Sequence, residues 1–260
     1  SCSIPVEEGM NIVTIDEEIH EARQTGLELL LSDHVGDCEA PCTIACPAHM
    51  DIPTMNRLLA AGKFDEALKV VKQNIALPSV LGYICPAPCE GACRRKPIDG
   101  AVSICLLKRF AGNEGIYNEK PATLTGKKVA VIGSGAAGLS AAYYLQMRGI
   151  QVHVYDKATT AGGQMRTEIG EDRLPEAVLN REISVIENLG VKFNMNTQIA
   201  KAEFEQLREK YDAVILASGL ITDEQKTWGI SIAAKGFDAD NNNYLTNLPG
   251  VYAVGNTLRP

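Results

Sequence analysis

Residues 127–157, KKVAVIGSGAAGLSAAYYLQMRGIQVHVYDK, decide the fold of the chain's second half. The apolar run KKVAVI reads as a strand. Gly133-x-Gly135-x-x-Gly138 follows it at once and opens the helix AGLSAAYYL, and a second strand ends at Asp156. The order strand, glycine turn, helix, strand is a βαβ unit. Its three glycines then have separate duties: the tight turn, close approach of a pyrophosphate, and close packing of helix on strand. The helix N-terminus turns free amides and the positive end of its dipole toward the diphosphate. Asp156 lies 18 residues beyond Gly138, where a carboxylate binds ribose hydroxyls. A bare GxGxxG is weak evidence, but in this context it marks a dinucleotide site.

That motif alone does not choose between FAD and NAD. Two later features favour FAD. Gly162-Gly163-Gln164 follows the acidic strand end, and YDAVILASG (211–219) reads as a buried strand ending in a small-residue turn at Gly219. LTNLPGVYAVGN (245–256) supplies another strand and a Gly255-Asn256 turn.

Working back toward the N-terminus, the cysteines take over. The chain has eight among its 260 residues, and none follows Cys105. A secreted disulfide scaffold is short and stapled throughout, whereas a reducing cytosol turns crowded cysteines toward metal binding. Cys38-x3-Cys42-x3-Cys46-Pro47 and Cys85-Pro86-x2-Cys89-x3-Cys93 fall in loops punctuated by prolines, which lets thiolates converge on a cuboidal cluster. Two 4Fe-4S clusters need about eight ligands. Residues 38–105 provide seven, and His34, four residues before Cys38, is the candidate for the eighth. Three alternatives stay open. Structural zinc uses similar ligands at knuckle spacings, His34 also suits a surface or capping role, and Cys105 suits a buried small hydrophobe.

A length of 260 residues gives room for about two domains. The net charge of −7 leaves no electrostatic footprint for nucleic acid. No apolar run approaches the ~20 residues that span a bilayer. The reading divides the chain into 1–12, a connecting helix in 13–35, a helical cysteine domain at 36–111, a polar linker at 112–126 and a Rossmann-type α/β domain at 127–260. Thr14 is expected to open the first helix, with Glu17 completing a capping box. Asp51 is expected to cap the first of two short helices that end near Gln73, and 102–110 reads as helical.

These motifs together resemble the small subunit of glutamate synthase and the N-terminal half of dihydropyrimidine dehydrogenase. CEAPCTIACPAHMDIP, CPAPCEGAC, VAVIGSGAAGLSAA, VYDKATTAGGQ, DRLP and LPGVYAVGN occur in that family's order over about residues 36–260. The resemblance implies two interleaved 4Fe-4S clusters. One uses Cys38, Cys42, Cys93 and an upstream ligand, for which His34 is the candidate. The other uses Cys46, Cys85, Cys89 and a ligand from the following helix. Relatives place glutamine or glutamate at that helix position, which here is Lys108, so Cys105 one turn earlier is the natural replacement. The resemblance also implies FAD contacts at Ile84, at Gly133, Ser134, Gly135, Ala136 and Ala137, from Asp156 and Lys157 through Gly162, Gly163 and Gln164, and at Arg173, Ile199, Gly219, Gly255 and Asn256. Asn256 stands where the family usually has aspartate.

Residues 1–36 resemble the end of the 2Fe-2S domain in the large iron–sulfur subunit of complex I and its hydrogenase relatives. This implies that Cys2 is the last ligand of a 2Fe-2S cluster completed outside the chain; a lone structural cysteine is the alternative. The relatives also insert an NAD(P)H-binding domain near 219–222, where the roughly 30 residues before Gly250 are too few for a βαβ-based domain. The implied function is a cytoplasmic FAD iron–sulfur subunit of a multisubunit NAD(P)H-linked oxidoreductase with ferredoxin-, flavin-, hydrogenase- or formate dehydrogenase-type partners. Transhydrogenase activity and electron bifurcation fall within the same expectation. The alternatives are the NADPH-oxidising subunit of glutamate synthase and a non-redox, zinc-stabilised assembly module.

Overall fold

The run at 127–132 forms the central strand of a five-stranded parallel sheet. The computed structural model describes residues 5–32, 38–118, 120–234 and 236–258. Cys2 and His34 lie outside the described residues. Two units are present, Ser1–Ala40 and Pro41–Pro260.

The first unit contains α1 (Glu17–Ser32). Its cap is Asp16, whose Oδ1 accepts the Ile19 amide at 2.7 Å. The helix therefore starts later than the Thr14 capping box implied. Aspartate outranks threonine as an N-cap and adds a negative charge at the positive end of the helix.

The second unit opens with six helices: α2 (Pro41–Ala45), α3 (Ile52–Ala60), α4 (Phe64–Lys72), α5 (Pro78–Ile84), α6 (Pro88–Gly91) and α7 (Ile104–Glu114). Asp51 caps α3 by accepting the Thr54 amide at 3.0 Å. The cysteine runs are not wholly loops, because α2 and α6 each form one turn inside them. Both begin on a proline, whose fixed φ suits a first helical position and whose missing amide is not needed there. α5 crosses α7 closely. A Cβ on Gly82 would stand 2.4 Å from Arg109 Cβ, and one on Gly112 would stand 2.5 Å from Ser79 Oγ.

The sheet follows as β1 (Lys128–Ile132), α8 (Ala136–Met147), β2 (Gln151–Tyr155), α9 (Gln164–Thr167), α10 (Glu176–Asn188), β3 (Lys192–Asn194), α11 (Lys201–Lys210), β4 (Ala213–Leu216) and β5 (Val251–Ala253). Strand order is β3-β2-β1-β4-β5, with every neighbouring pair parallel. The order reverses at β1, and there the carboxyl ends of the strands leave a crevice. One core gathers Leu139, Tyr143, Leu179 and Ile186. The other gathers Phe204, Trp228 and Phe237, with Phe204 and Trp228 stacked 4.4 Å apart. Residues 220–250 are thus part of the second core.

Of the cysteine-domain helices, α5 shares the first of these cores, while α3, α4 and α7 build a third around Met55, Val71, Cys89 and Ile104. Ala76, Leu77 and Val80 belong with Val129 and Leu139, and Ile84 packs against them. Glu182 of α10 accepts the Ser79 and Val80 amides at 3.1 and 3.0 Å, capping α5 from across the chain. Arg181 donates to Ser79 Oγ at 3.1 Å and to Asn113 Oδ1 at 2.6 Å. Lys72 Nζ donates to the Ala76 carbonyl at 2.9 Å and lies 4.9 Å from the Tyr143 ring centre. Burial pushes the Glu182 carboxyl up, opposed by Lys72 and the two amides.

Candidate functional site

The three fingerprint glycines divide their work as the motif predicts. Gly133 has φ +109°, and a Cβ there would meet the Ala217 carbonyl at 2.3 Å. A Cβ on Gly138 would stand 2.0 Å from the Gly133 oxygen, so the helix packs directly on the turn. Gly135 instead faces open space at the N-cap of α8, which has no side-chain cap. The first-turn amides from Ala136 and Ala137 onward are left for an anion.

Ser134 anchors the acidic residue. Its amide and hydroxyl donate to Asp156 Oδ2 at 2.7 and 2.6 Å, and the Ala158 amide donates to Oδ1 at 2.9 Å. A carboxylate has about four acceptor positions, so Oδ1 keeps one for a ligand hydroxyl. Gly133, Asp156, Lys157 and Ile199 line one cavity of about 110 Å³ at the carboxyl ends of β1 and β2. Thr197, Ser218, Thr222 and Gln225 line it too, and the motif reading missed them. Ser218 lay inside the small-residue turn after β4, a signal that could have found it. Thr222 and Gln225 carry no motif. Gln225 holds that wall by donating to Ser218 Oγ at 2.8 Å and accepting the Thr222 amide at 2.9 Å.

The rim gathers Gly162, Gly163, Gln164, Gly255 and Asn256. The Gly162 amide donates to the Ser134 carbonyl at 3.0 Å. A Cβ on Gly163 would stand 2.8 Å from Gly135 Cα, and one on Gly255 would stand 2.8 Å from Ala137 Cβ. Asn256 Nδ2 donates to Gln164 Oε1 at 3.0 Å. Gly219 has φ +82°, with open space where a side chain would begin. Arg173 sits apart, exposed in the turn between α9 and α10.

Electrostatic neighbours sort the cysteines of the second unit into two groups. Cys93 acts on Cys42, whose thiol burial raises. Cys93 itself is held below the usual thiol value by hydrogen bonds from the Val102, Arg95 and Lys96 amides and by the Arg95 charge. Burial pushes Cys89 up to about 11, and Cys46 and Cys85 add to the effect while Lys108 opposes it. Cys105 lies against the end of α5, with its Sγ 3.5 Å from the Leu81 carbonyl and 3.9 Å from that of Cys85. Burial raises Cys105 and Lys108 opposes. Among the described residues no three His, Cys, Asp or Glu side chains close on a point that would hold a single ion. Cys38 lies in a bend near the end of the first unit.

Residues 31–120 match the family described as dihydropyrimidine dehydrogenase domain II, 4Fe-4S cluster, and residues 131–192 match the NAD(P)-binding Rossmann-like domain. The glutamate synthase [NADPH] small chain of Bacillus subtilis is 37% identical over 68% of this chain and 37% of its own length. The chain is its homologue. The same homology extends to the NADPH-Fe(3+) oxidoreductase subunit beta of Geobacter sulfurreducens, 39% identical over 76% of this chain and 30% of that protein. It extends also to the NADP(+)-dependent formate dehydrogenase subunit beta of Moorella thermoacetica, 39% identical over 70% of this chain and 29% of that protein. The chain spans about a third of the length of these curated relatives. The matched architecture is a 4Fe-4S domain followed by an NAD(P)-binding Rossmann-like domain. No helix among the described residues is long and apolar enough to cross a membrane.

Proposed function

We infer that the chain is the iron–sulfur flavoprotein part of a cytoplasmic, multisubunit NAD(P)H-linked oxidoreductase of the hydrogenase, formate dehydrogenase or transhydrogenase kind. One observation carries the reading: α5, which ends at Cys85, packs on the Rossmann core, while Cys42, Cys46 and Cys89 gather on a core of their own beside it. The joint is Ile84–Cys85, where a residue packed on the Rossmann core precedes a candidate cluster ligand. The residues fit the groups proposed for them. The thiols are soft ligands in two sets, and Gly135 leaves an uncapped helix N-terminus for a diphosphate.

In this reading Cys38, Cys42, Cys93 and His34 hold one 4Fe-4S cluster, and Cys46, Cys85, Cys89 and Cys105 hold the other. Cys2 belongs to a 2Fe-2S centre completed by other residues. Asp156 orients the ribose, α8 receives the diphosphate, and the rim formed by Gly162, Gly163, Gln164, Gly255 and Asn256 encloses the rest of FAD. FAD supplies hydride exchange with NAD(P)H and the clusters supply single-electron transfer, while the protein binds, spaces and tunes them. The names of the formate dehydrogenase and Fe(3+) oxidoreductase subunits support this placement.

The match to a glutamate synthase small chain supports a second reading, as the NADPH-oxidising subunit of that enzyme. A dinucleotide competition tests the flavin assignment. The chain, reconstituted anaerobically, is expected to retain FAD through gel filtration in the presence of excess NADP(+). Retention of NADP(+) in place of FAD would overturn it. NADPH-dependent glutamate formation from 2-oxoglutarate and glutamine on adding a glutamate synthase large chain would favour the second reading.

A further inference from the structure

Among the described residues of the second unit two lysines are buried, and their surroundings differ. Lys72 has a carbonyl acceptor, two tyrosine rings and the Glu182 charge around it. Lys108 has none of these. It is 4% exposed on α7, one turn beyond Cys105 and on the same face. Among the described residues no carboxylate forms an ion pair with it. Glu90, which approaches this end of α7, gives its Oε1 to the Cys105 amide at 2.8 Å. The neighbouring core of Ile104, Ala111, Met55 and Val71 is apolar. The Lys108 stem is buried, and its Nζ is not among the buried nitrogens left without a partner, as expected of a lysine that carries its charge to the edge of an apolar core.

The groups on which its charge acts are Cys89 and Cys105. We propose that Lys108 is the built-in counter-charge of the iron–sulfur centre held by Cys46, Cys85, Cys89 and Cys105, and that it raises the reduction potential of that centre. The inference rests on the ligand set proposed above. A cubane held by four thiolates carries one more negative charge than one held by three thiolates and a neutral ligand. Lys108 supplies one positive charge beside the fourth thiolate and cancels the difference. Net charge and burial are among the factors that set a cluster's potential. Reduction adds one electron to the centre without breaking a bond, and a nearby ammonium stabilises the reduced form more than the oxidised form.

The test is an anaerobic dithionite titration with redox mediators, followed by electron paramagnetic resonance, on the reconstituted full chain. Lys108→Met, Lys108→Gln and Lys108→Arg are compared with wild type, and the signal that Cys85→Ser abolishes identifies the centre. The neutral variants are expected to bind iron normally and to disfavour reduction at least tenfold, a downward shift of ~59 mV for a one-electron couple. The arginine variant is expected to stay near the wild-type value. An unshifted midpoint in an iron-loaded Met or Gln variant would overturn the proposal alone. Loss of the cluster from both neutral variants with retention in Arg would support it, since charge is then needed to hold the centre at all. Loss from all three would overturn it. A wild-type chain that takes up no iron and sulfide would overturn the proposed function as well.

Discussion

Replacing Glu182 with alanine removes the carboxylate through which α10 caps α5, the helix that ends at Cys85. Two effects oppose each other. The Ser79 and Val80 amides, now donating at 3.1 and 3.0 Å, would be left buried and unpaired. Each such group costs about 1–3 kcal/mol. Lys72 also loses the charge that offsets its burial. Against this, burial already pushes the Glu182 carboxyl up, so its removal returns part of a desolvation cost. The net expectation is a loss of about 2–4 kcal/mol. For a chain of this size that lowers Tm by roughly 4–16 °C. Glutamine keeps one acceptor oxygen and should cost about 1–2 kcal/mol. Thermal denaturation followed by circular dichroism measures both. Because the folded-state value lies above the ordinary 4.5, the stability contributed by this carboxyl is fully present below pH 4.5 and is lost as pH rises through the folded value. Wild type should therefore gain on the glutamine variant as pH falls toward 4.5. An alanine variant within about 0.5 kcal/mol of wild type, the scatter of neutral surface changes, would refute the capping argument.

Further perturbations probe other parts of the site. Gly138→Ala places a Cβ 2.0 Å from the Gly133 oxygen and should cost about 1–3 kcal/mol of stability and abolish dinucleotide retention on gel filtration. Asp156→Asn keeps the side-chain volume but gives up a charge-assisted acceptor, so FAD affinity by titration calorimetry should fall roughly 10–100-fold. Trp228→Ala empties the stack on Phe204 and should destabilise the chain by about 3–5 kcal/mol in urea unfolding. Cys105→Ser should lower iron per chain by up to a whole cubane, and unchanged iron would remove Cys105 from the ligand set.

The glycine turn was legible because its constraints are local: a strand, a turn that admits no Cβ at Gly133 or Gly138, and a helix that must start there. The Asp51 cap and the pair of short helices were legible for the same reason. The cysteine spacing pointed to loops, yet Pro41 and Pro88 start one-turn helices, because proline at a first helical position favours the helix that it would break further along. The start of α1 went to Asp16 because the better cap lay two residues beyond the threonine. Contacts between distant parts of the chain left no trace in the linear pattern. Glu182 reaches Ser79 across 103 positions, and nothing around either residue announces the other. The burial of Lys108 was hidden in the same way, since a lysine on a short amphipathic helix reads as a solvated charge. Thr222 and Gln225 reach the crevice only because residues 220–250 fold back onto the sheet.

Iron, acid-labile sulfide and zinc counts on the anaerobically reconstituted chain test the central claim most directly. Two cubanes predict about eight iron and eight sulfide per chain and no stoichiometric zinc. Tightly bound zinc with no labile sulfide would contradict it and leave a zinc-stabilised module in its place.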